Sequence, residues 1–412
     1  MRNLKKLLPV LLLLAVAGLY AVRHHGQQAR TDTGAAEGPL PLTGTDLERG
    51  RYLTAAANCL GCHTAPGGED FAGGRAFELP FGTLYSGNLT PDDDTGIGHW
   101  SEDDFADAVR AGIAPGGRHL YPAHPYTSYA GLARDDVRAI RAYLMSLPAV
   151  HQAATPNALA WPFSQRALMA LWNTLYQPPV GYHADATRDA VWNRGAYLAG
   201  ALGHCGECHT PRNALYALTS AHAHQGAVTQ GWNAYAITAE GLGSWSAAAL
   251  SQYLSLGHAP GHGAAVGPMK EVVMQNTAQL SEADRQALVA YLLDGRSEAA
   301  VAAPVAQSVA EEGSTGAGLY AGACVGCHQP GPAAPYYADL NGASTVRDPA
   351  GTNLLRLLAQ GSGHGEGMAV AMPSFAAAYS DAERAALANY VLARFGGLRP
   401  ALTAKDAKAA GP

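Results

Sequence analysis

The chain has 412 residues, a formal net charge of −6 and only 15% charged residues. That length fits roughly two to four domains at about 150 residues each. The mildly acidic balance excludes the basic footprint of nucleic-acid binding, and 48 Gly with 25 Pro imply compact domains with long ordered loops.

The first predicted element is N-terminal. Arg2, Lys5 and Lys6 precede an apolar run from Leu7 to Val22, which has the form of an export signal. Ala15-Val16-Ala17 offers a small-residue cleavage pattern. An uncleaved anchor is the alternative, because the run is near the lower length for a membrane span. Residues 1–22 are therefore expected to be a signal sequence or anchor, and the polar residues 23–43 a linker.

Three similar segments follow. Each starts with a short helical pattern: Gly50-Arg-Tyr52-Leu53, Gly195-Ala-Tyr197-Leu198 and Gly318-Leu-Tyr320. Each closes with an amphipathic helix carrying a tyrosine: Tyr143, Tyr291 and Tyr390. These tyrosines are expected to be helix-crossing contacts. Thr45-Asp-Leu-Glu48 has the capping-box pattern of a helix start. Ser281-Glu-Ala-Asp284 and Ser380-Asp-Ala-Glu383 carry similar polarity. The expected domains are 44–150, 190–296 and 310–397, with a linker at 297–309 and a tail at 398–412. The segment 151–189 contains Trp161, Phe163, Met169, Trp172 and Tyr176. It is too aromatic for a free linker and is expected to pack between domains or onto a partner.

Each of the three segments carries Cys-x-x-Cys-His: Cys59-Leu-Gly-Cys62-His63, Cys205-Gly-Glu-Cys208-His209 and Cys324-Val-Gly-Cys327-His328. These use all six cysteines in the chain. The pattern is that of c-type haem attachment. The thiols add to the haem vinyl groups, and the adjacent imidazole becomes the proximal iron ligand. A zinc ribbon would pair two such motifs, and a redox dithiol does not need the histidine. The expectation is three covalently attached haem c groups, with His63, His209 and His328 on the irons.

An electron-transfer haem needs a sixth ligand. Met269 follows Gly267-Pro268, sixty residues after His209, and Met372 precedes Pro373, forty-four after His328. Met274 and Met368 are rivals that do not abut a proline. In the first segment the matching loop is Leu120-Tyr-Pro-Ala-His124-Pro-Tyr126, which puts His124 at the ligand position, with His119 and His99 as rivals. Met145 lies inside the closing helix. The first haem is thus expected to be bis-histidine and of lower potential than the other two, since a thioether raises the potential. Trp100 and Trp245, in shared Gly-x-Gly-x-Trp-Ser motifs, could bond a haem propionate or simply pack. The glycine-rich Gly361–Gly367 stretch is expected to be a haem-pocket loop.

These features resemble the class I cytochrome c fold, in which first and last helices cross, so the expected class is all-α with three tandem domains. Gly203-His-Cys-Gly-Glu-Cys-His-Thr-Pro-Arg-Asn213, the Leu120–Tyr126 loop and Trp192-Asn-Arg-Gly-Ala-Tyr-Leu198 resemble the three-haem cytochrome c subunits of membrane-bound periplasmic dehydrogenases. Such subunits serve dehydrogenases for alcohols, gluconate, sorbitol and fructose, and some molybdenum-containing oxidoreductases. The resemblance covers about residues 44–397. His124 departs from that family, which usually has Met there.

The resemblance implies a separate catalytic subunit carrying flavin, pyrroloquinoline quinone or molybdenum. Electrons would leave to ubiquinone, or to a terminal oxidase or cytochrome acceptor, at the membrane surface on the periplasmic side of the bacterial cytoplasmic membrane. No catalytic residues are expected in this chain. The competing readings are a multihaem redox enzyme with the first haem open and a free electron shuttle.

Overall fold

The computed structural model describes residues 45–301, 308–328, 339–362 and 371–411. The signal or anchor at 1–22, the linker at 23–43, residues 302–307, Met368 and most of the Gly361–Gly367 stretch lie outside them. Among the described residues no helix is long and apolar enough to cross a membrane.

The chain divides into two compact units. The first holds the described residues up to Glu207 together with Arg212–Thr219 and Gln279–Tyr291; the second holds Cys208–Pro211, Ser220–Ala278 and the residues from Leu292 onward.

In the first unit the helix Asp46–Ala56 begins at Thr45, whose hydroxyl accepts from the Glu48 N–H while Glu48 reaches back to Thr45. This is the capping box expected from the sequence. The helix crosses the closing helix Arg134–Leu144 through Gly50. A Cβ on Gly50 would lie 1.9 Å from the Ala139 carbonyl oxygen and 2.9 Å from Tyr143 Cβ. Only glycine allows that approach. Gly195 makes the same contact with Ala287 O and Tyr291 Cβ, at 2.0 and 2.6 Å.

The second unit repeats the device. Gly316, in the helix Thr315–Ala323, meets Ala386 O and Tyr390 Cβ of the helix Asp381–Gly396, at 2.2 and 2.7 Å. The sequence motif points instead to Gly318, whose Cβ position is open. Around this crossing, Tyr320, Cys324, Leu354, Leu358, Leu387 and Phe395 form an apolar core. Residues 398–411 of the tail are part of that packing. It contains the helix Ala404–Ala409, Asn389 bonds both the N–H and the C=O of Leu402, and Ala407 is buried.

The all-α expectation needs amendment, because short antiparallel hairpins punctuate the helices. Ala76–Leu79 pairs with Gly82–Tyr85, which also pairs with Ala158–Leu159. Ile113–Ala114 pairs with Arg118–His119, Ala227–Thr229 with Trp232–Ala234, and His258–Ala259 with Gly263–Ala264. Gln230 and Gly231 both have positive φ, at 49° and 76°, as a two-residue primed hairpin turn requires. Strands of two to four residues leave too little alternation to be read from sequence.

The aromatic segment packs within the first unit. Trp172 is buried and donates its indole N–H to Leu215 O at 2.9 Å. Tyr126 donates to Asn173 Oδ1 at 2.7 Å, and Phe163 stacks on Phe81. Trp161, Leu168, Leu171 and Leu175 stay exposed.

Candidate functional site

Among the described residues, no disulfide joins any of the six cysteines. Cys59 and Cys62 lie on one helical turn, Cys59–His63, which starts after Asn58 in the left-handed conformation. Burial, with Cys62 alongside, pushes the Cys59 thiol up to about 12. Burial and Cys327 push Cys324 up to about 11. Thiols left free in pairs beside an imidazole suit thioether formation with the vinyl groups of a haem.

The histidines of the first two motifs are held alike. His63 Nδ1 donates to Gly87 O at 2.7 Å, and His209 Nδ1 donates to Tyr235 O at 2.6 Å. A carbonyl acceptor fixes the tautomer and leaves Nε2 for a metal. Burial, countered by that carbonyl, holds both imidazoles below their ordinary range. In the third motif Cys324 O accepts from the His328 N–H at 2.9 Å, and Tyr320 donates to His328 O at 2.8 Å.

Two arginines brace the turns, and neither belongs to the motifs read from sequence as site residues. Arg75 Nη1 donates to Gly61 O at 2.6 Å; Arg212 Nη2 donates to Glu207 O at 3.3 Å and to its carboxylate at 2.6 Å. Gly61 and Glu207 occupy the same place in their motifs. The Thr-Pro-Arg run is the available signal for Arg212; nothing local marks Arg75.

The hairpins set the candidate sixth ligands. In the first repeat the helix Glu102–Ala111 ends at Gly112 with φ 67°, a hairpin follows, and the Leu120 N–H returns to Gly112 O at 2.7 Å. In the second, the helix Ala247–Leu256 ends at Gly257 with φ 77°, a hairpin follows, and the Ala265 N–H returns to Gly257 O at 2.6 Å. Four residues beyond each return stand His124 and Met269.

Burial pushes His124 down to about 3, and His63 and His204 add to the effect. The rivals sit elsewhere. His99 is exposed beside Asp93, and His119 lies in the hairpin strand against Asn173. Met145 caps the closing helix.

Met269 is half-buried, in the first turn of the helix Pro268–Gln275, whereas Met274 is exposed. Gly267, two residues before Met269, is closed over by the Trp232 ring, 2.5 Å from where a Cβ would lie. Trp232 is three residues from Tyr235, whose carbonyl holds His209. Met372 packs against the core cluster that contains Cys324. Its N–H donates to Ser362 Oγ at 2.9 Å, and its carbonyl accepts from the Ser362 N–H at 3.0 Å. Trp245 is a packing residue, stacked on His262 at 3.7 Å between centroids.

A family model described as cytochrome c matches residues 47–148, and one described as cytochrome c oxidase, cbb3-type, subunit III matches residues 311–391. A nicotinate dehydrogenase subunit of Pseudomonas putida is 42% identical over 375 residues, 88% of this chain but 31% of that protein. Gluconate 2-dehydrogenase cytochrome c subunit of Pantoea cypripedii is 37% identical over 390 residues, covering 87% of this chain and 88% of the relative. Fructose dehydrogenase cytochrome subunit of Gluconobacter japonicus is 35% identical over 398 residues, covering 88% and 82%. Cytochrome c domains are therefore present, and they imply covalently bound haem c.

Proposed function

Since the chain belongs to the cytochrome c subunits of dehydrogenase complexes, we propose that it is a three-haem electron carrier for such a complex. It takes electrons from a catalytic subunit of flavin, pyrroloquinoline quinone or molybdenum type. It delivers them to ubiquinone or another respiratory acceptor at the periplasmic side of the cytoplasmic membrane. Its architecture is three tandem class I cytochrome c domains.

The observation that carries the reading is the recurrence of one arrangement. Three Cys-x-x-Cys-His motifs each follow a helix that crosses a closing helix at a glycine, Gly50, Gly195 and Gly316. Bound haem supplies one-electron redox chemistry at iron. The chain does the rest. Cys59 and Cys62, Cys205 and Cys208, and Cys324 and Cys327 attach the three groups. His63, His209 and His328 would be the proximal ligands, and Gly87 O and Tyr235 O would orient the first two and raise their basicity. His124, Met269 and Met372 would be the second iron ligands, a ligand set that suits electron transfer rather than substrate binding.

The test is purification of the full chain with its neighbours from the membrane fraction. The expected preparation contains three haems per chain by the pyridine haemochrome assay. It also contains a dehydrogenase catalytic chain whose substrate reduces the haem bands. A haem count below three, or a cytochrome no dehydrogenase substrate reduces, overturns the reading.

A further inference from the structure

Two side chains converge on one carbonyl in the first unit. Ala57 caps the helix Asp46–Ala56, and its oxygen accepts from the Tyr129 hydroxyl at 2.8 Å and from His204 Nε2 at 3.3 Å. A carbonyl has two lone pairs, and both are used. Ala57 stands two residues before Cys59, and His204 stands directly before Cys205. The contact therefore joins the attachment segments of two motifs far apart in sequence.

The joint is rigid. His204 has φ 39°, a left-handed backbone in a residue other than glycine, and such strain persists only where the surroundings over-determine it. The imidazole meets the Tyr129 ring edge-on, with centroids 5.4 Å apart at 80°. Tyr129 in turn lies against His124, at 5.5 Å and 58°. Ser128 donates to Glu207 at 2.9 Å and adds a second pin beside the first. Ala57 and Tyr129 are buried. Burial also holds the His204 imidazole below its ordinary range.

We propose that the His204–Ala57 hydrogen bond, braced by Tyr129, is the coupling through which one electron exchanges between the haem attached at Cys59 and the haem attached at Cys205. This inference rests on the three-haem reading above. In the step, a ferrous iron on one side becomes ferric and a ferric iron on the other becomes ferrous. No bond breaks and no proton moves. Tunnelling decays more slowly along covalent and hydrogen bonds than across a van der Waals gap. The path from Cys59 through Asn58 to Ala57 O, and across to His204 and Cys205, has no such gap. His204 is thus a positioning residue for electron transfer.

The experiment uses the haem-loaded full chain as wild type, His204→Leu, His204→Gln and Tyr129→Phe. A photochemical reductant injects one electron, and its redistribution is followed optically. The sulfur-to-iron band of a Met-ligated site tells the second haem from the first. The expected result is exchange slowed severalfold in His204→Leu, with every haem potential unchanged by spectroelectrochemical titration. His204→Gln, which keeps an N–H donor, recovers part of the rate, and Tyr129→Phe slows it less than His204→Leu.

An unchanged rate in His204→Leu overturns the proposal, as does a slowing fully accounted for by shifted potentials. If His204→Leu does not load its haems, His204→Gln and Tyr129→Phe decide: identical wild-type rates in both overturn it. A wild type with fewer than three haems signals failure of the underlying reading instead, before any variant is compared.

Discussion

Tyr52 donates its hydroxyl hydrogen to Asp284 at 2.6 Å, across 232 positions of sequence. Asp284 is also the carboxylate that grips Arg194 through two bonds of 2.7 Å. The reciprocal contact exists: Tyr197 donates to Asp136 at 2.5 Å, and Asp136 pairs with Arg49. Arg49 and Tyr52 belong to the first repeat, Arg194 and Tyr197 to the second. Each arginine stays with the aspartate of its own repeat, and each tyrosine crosses to the other. Burial and Asp284 push the Tyr52 phenol up to about 12.

Breaking the exchange at its charged centre is expected to cost more than removing a hydroxyl. Arg194 and Asp284 are both buried. Asp284→Ala strands the guanidinium and should destabilise by roughly 3–5 kcal/mol. Tyr52→Phe should cost about 1 kcal/mol. Denaturant unfolding of the haem-loaded protein, followed by circular dichroism, measures both. Equal costs would contradict the assignment.

The glycine crossings make a sharper comparison. Gly50→Ala, Gly195→Ala and Gly316→Ala each push a methyl into a carbonyl 1.9 to 2.2 Å away, and each should destabilise by about 1–3 kcal/mol. Gly318→Ala meets nothing within 4 Å in a helix and should stabilise by roughly 0.5–1 kcal/mol. Thermal unfolding of the four variants reads the contrast, and a destabilising Gly318→Ala would count against the observed register.

Acid sensitivity in the second unit should depend on His262. Burial, with Arg347 adding, pushes its imidazole down to about 4, against about 6.5 in an unfolded chain. The unfolded state therefore binds more protons between those values. Stability contributed by neutral His262 is complete above about pH 6.5 and is lost as pH falls toward 4. His262→Gln should flatten the unfolding midpoint over that window. An unchanged pH profile would exclude His262 as the source.

The proposed His124 ligand predicts a distinct first haem. His124→Met should raise the potential of one haem and leave two unchanged, as read by potentiometric titration. His124→Ala should open one site to carbon monoxide in the reduced protein, while wild type binds none stoichiometrically. If no haem shifts upward in His124→Met, another group holds the iron.

The attachment motifs, the capping boxes at Thr45 and Ser380 and the tyrosines of the closing helices are legible in the sequence because their signals are local. Ser281 reads as a helix start, and its Oγ does accept from the Asp284 N–H at 3.2 Å. The Asp284 carboxylate, however, turns to Arg194 and Tyr52, partners far away in sequence. Gly318 precedes a tyrosine by the same spacing as Gly50, yet helix phase puts Gly316 at the crossing. The hairpins leave no trace in the pattern because strands of two to four residues show no clear period. Arg75 and His204 act on carbonyls, which carry no side-chain identity to read.

The return bonds to Gly112 and Gly257 have a wider consequence. They are made by main-chain atoms, so the place they define is indifferent to what stands there. An imidazole occupies it in one repeat and a thioether in the other, on equivalent scaffolding. With the ligands proposed above, electrochemical tuning would be separated from folding: exchanging a single side chain would set the driving force of one relay step and leave the architecture of the relay alone.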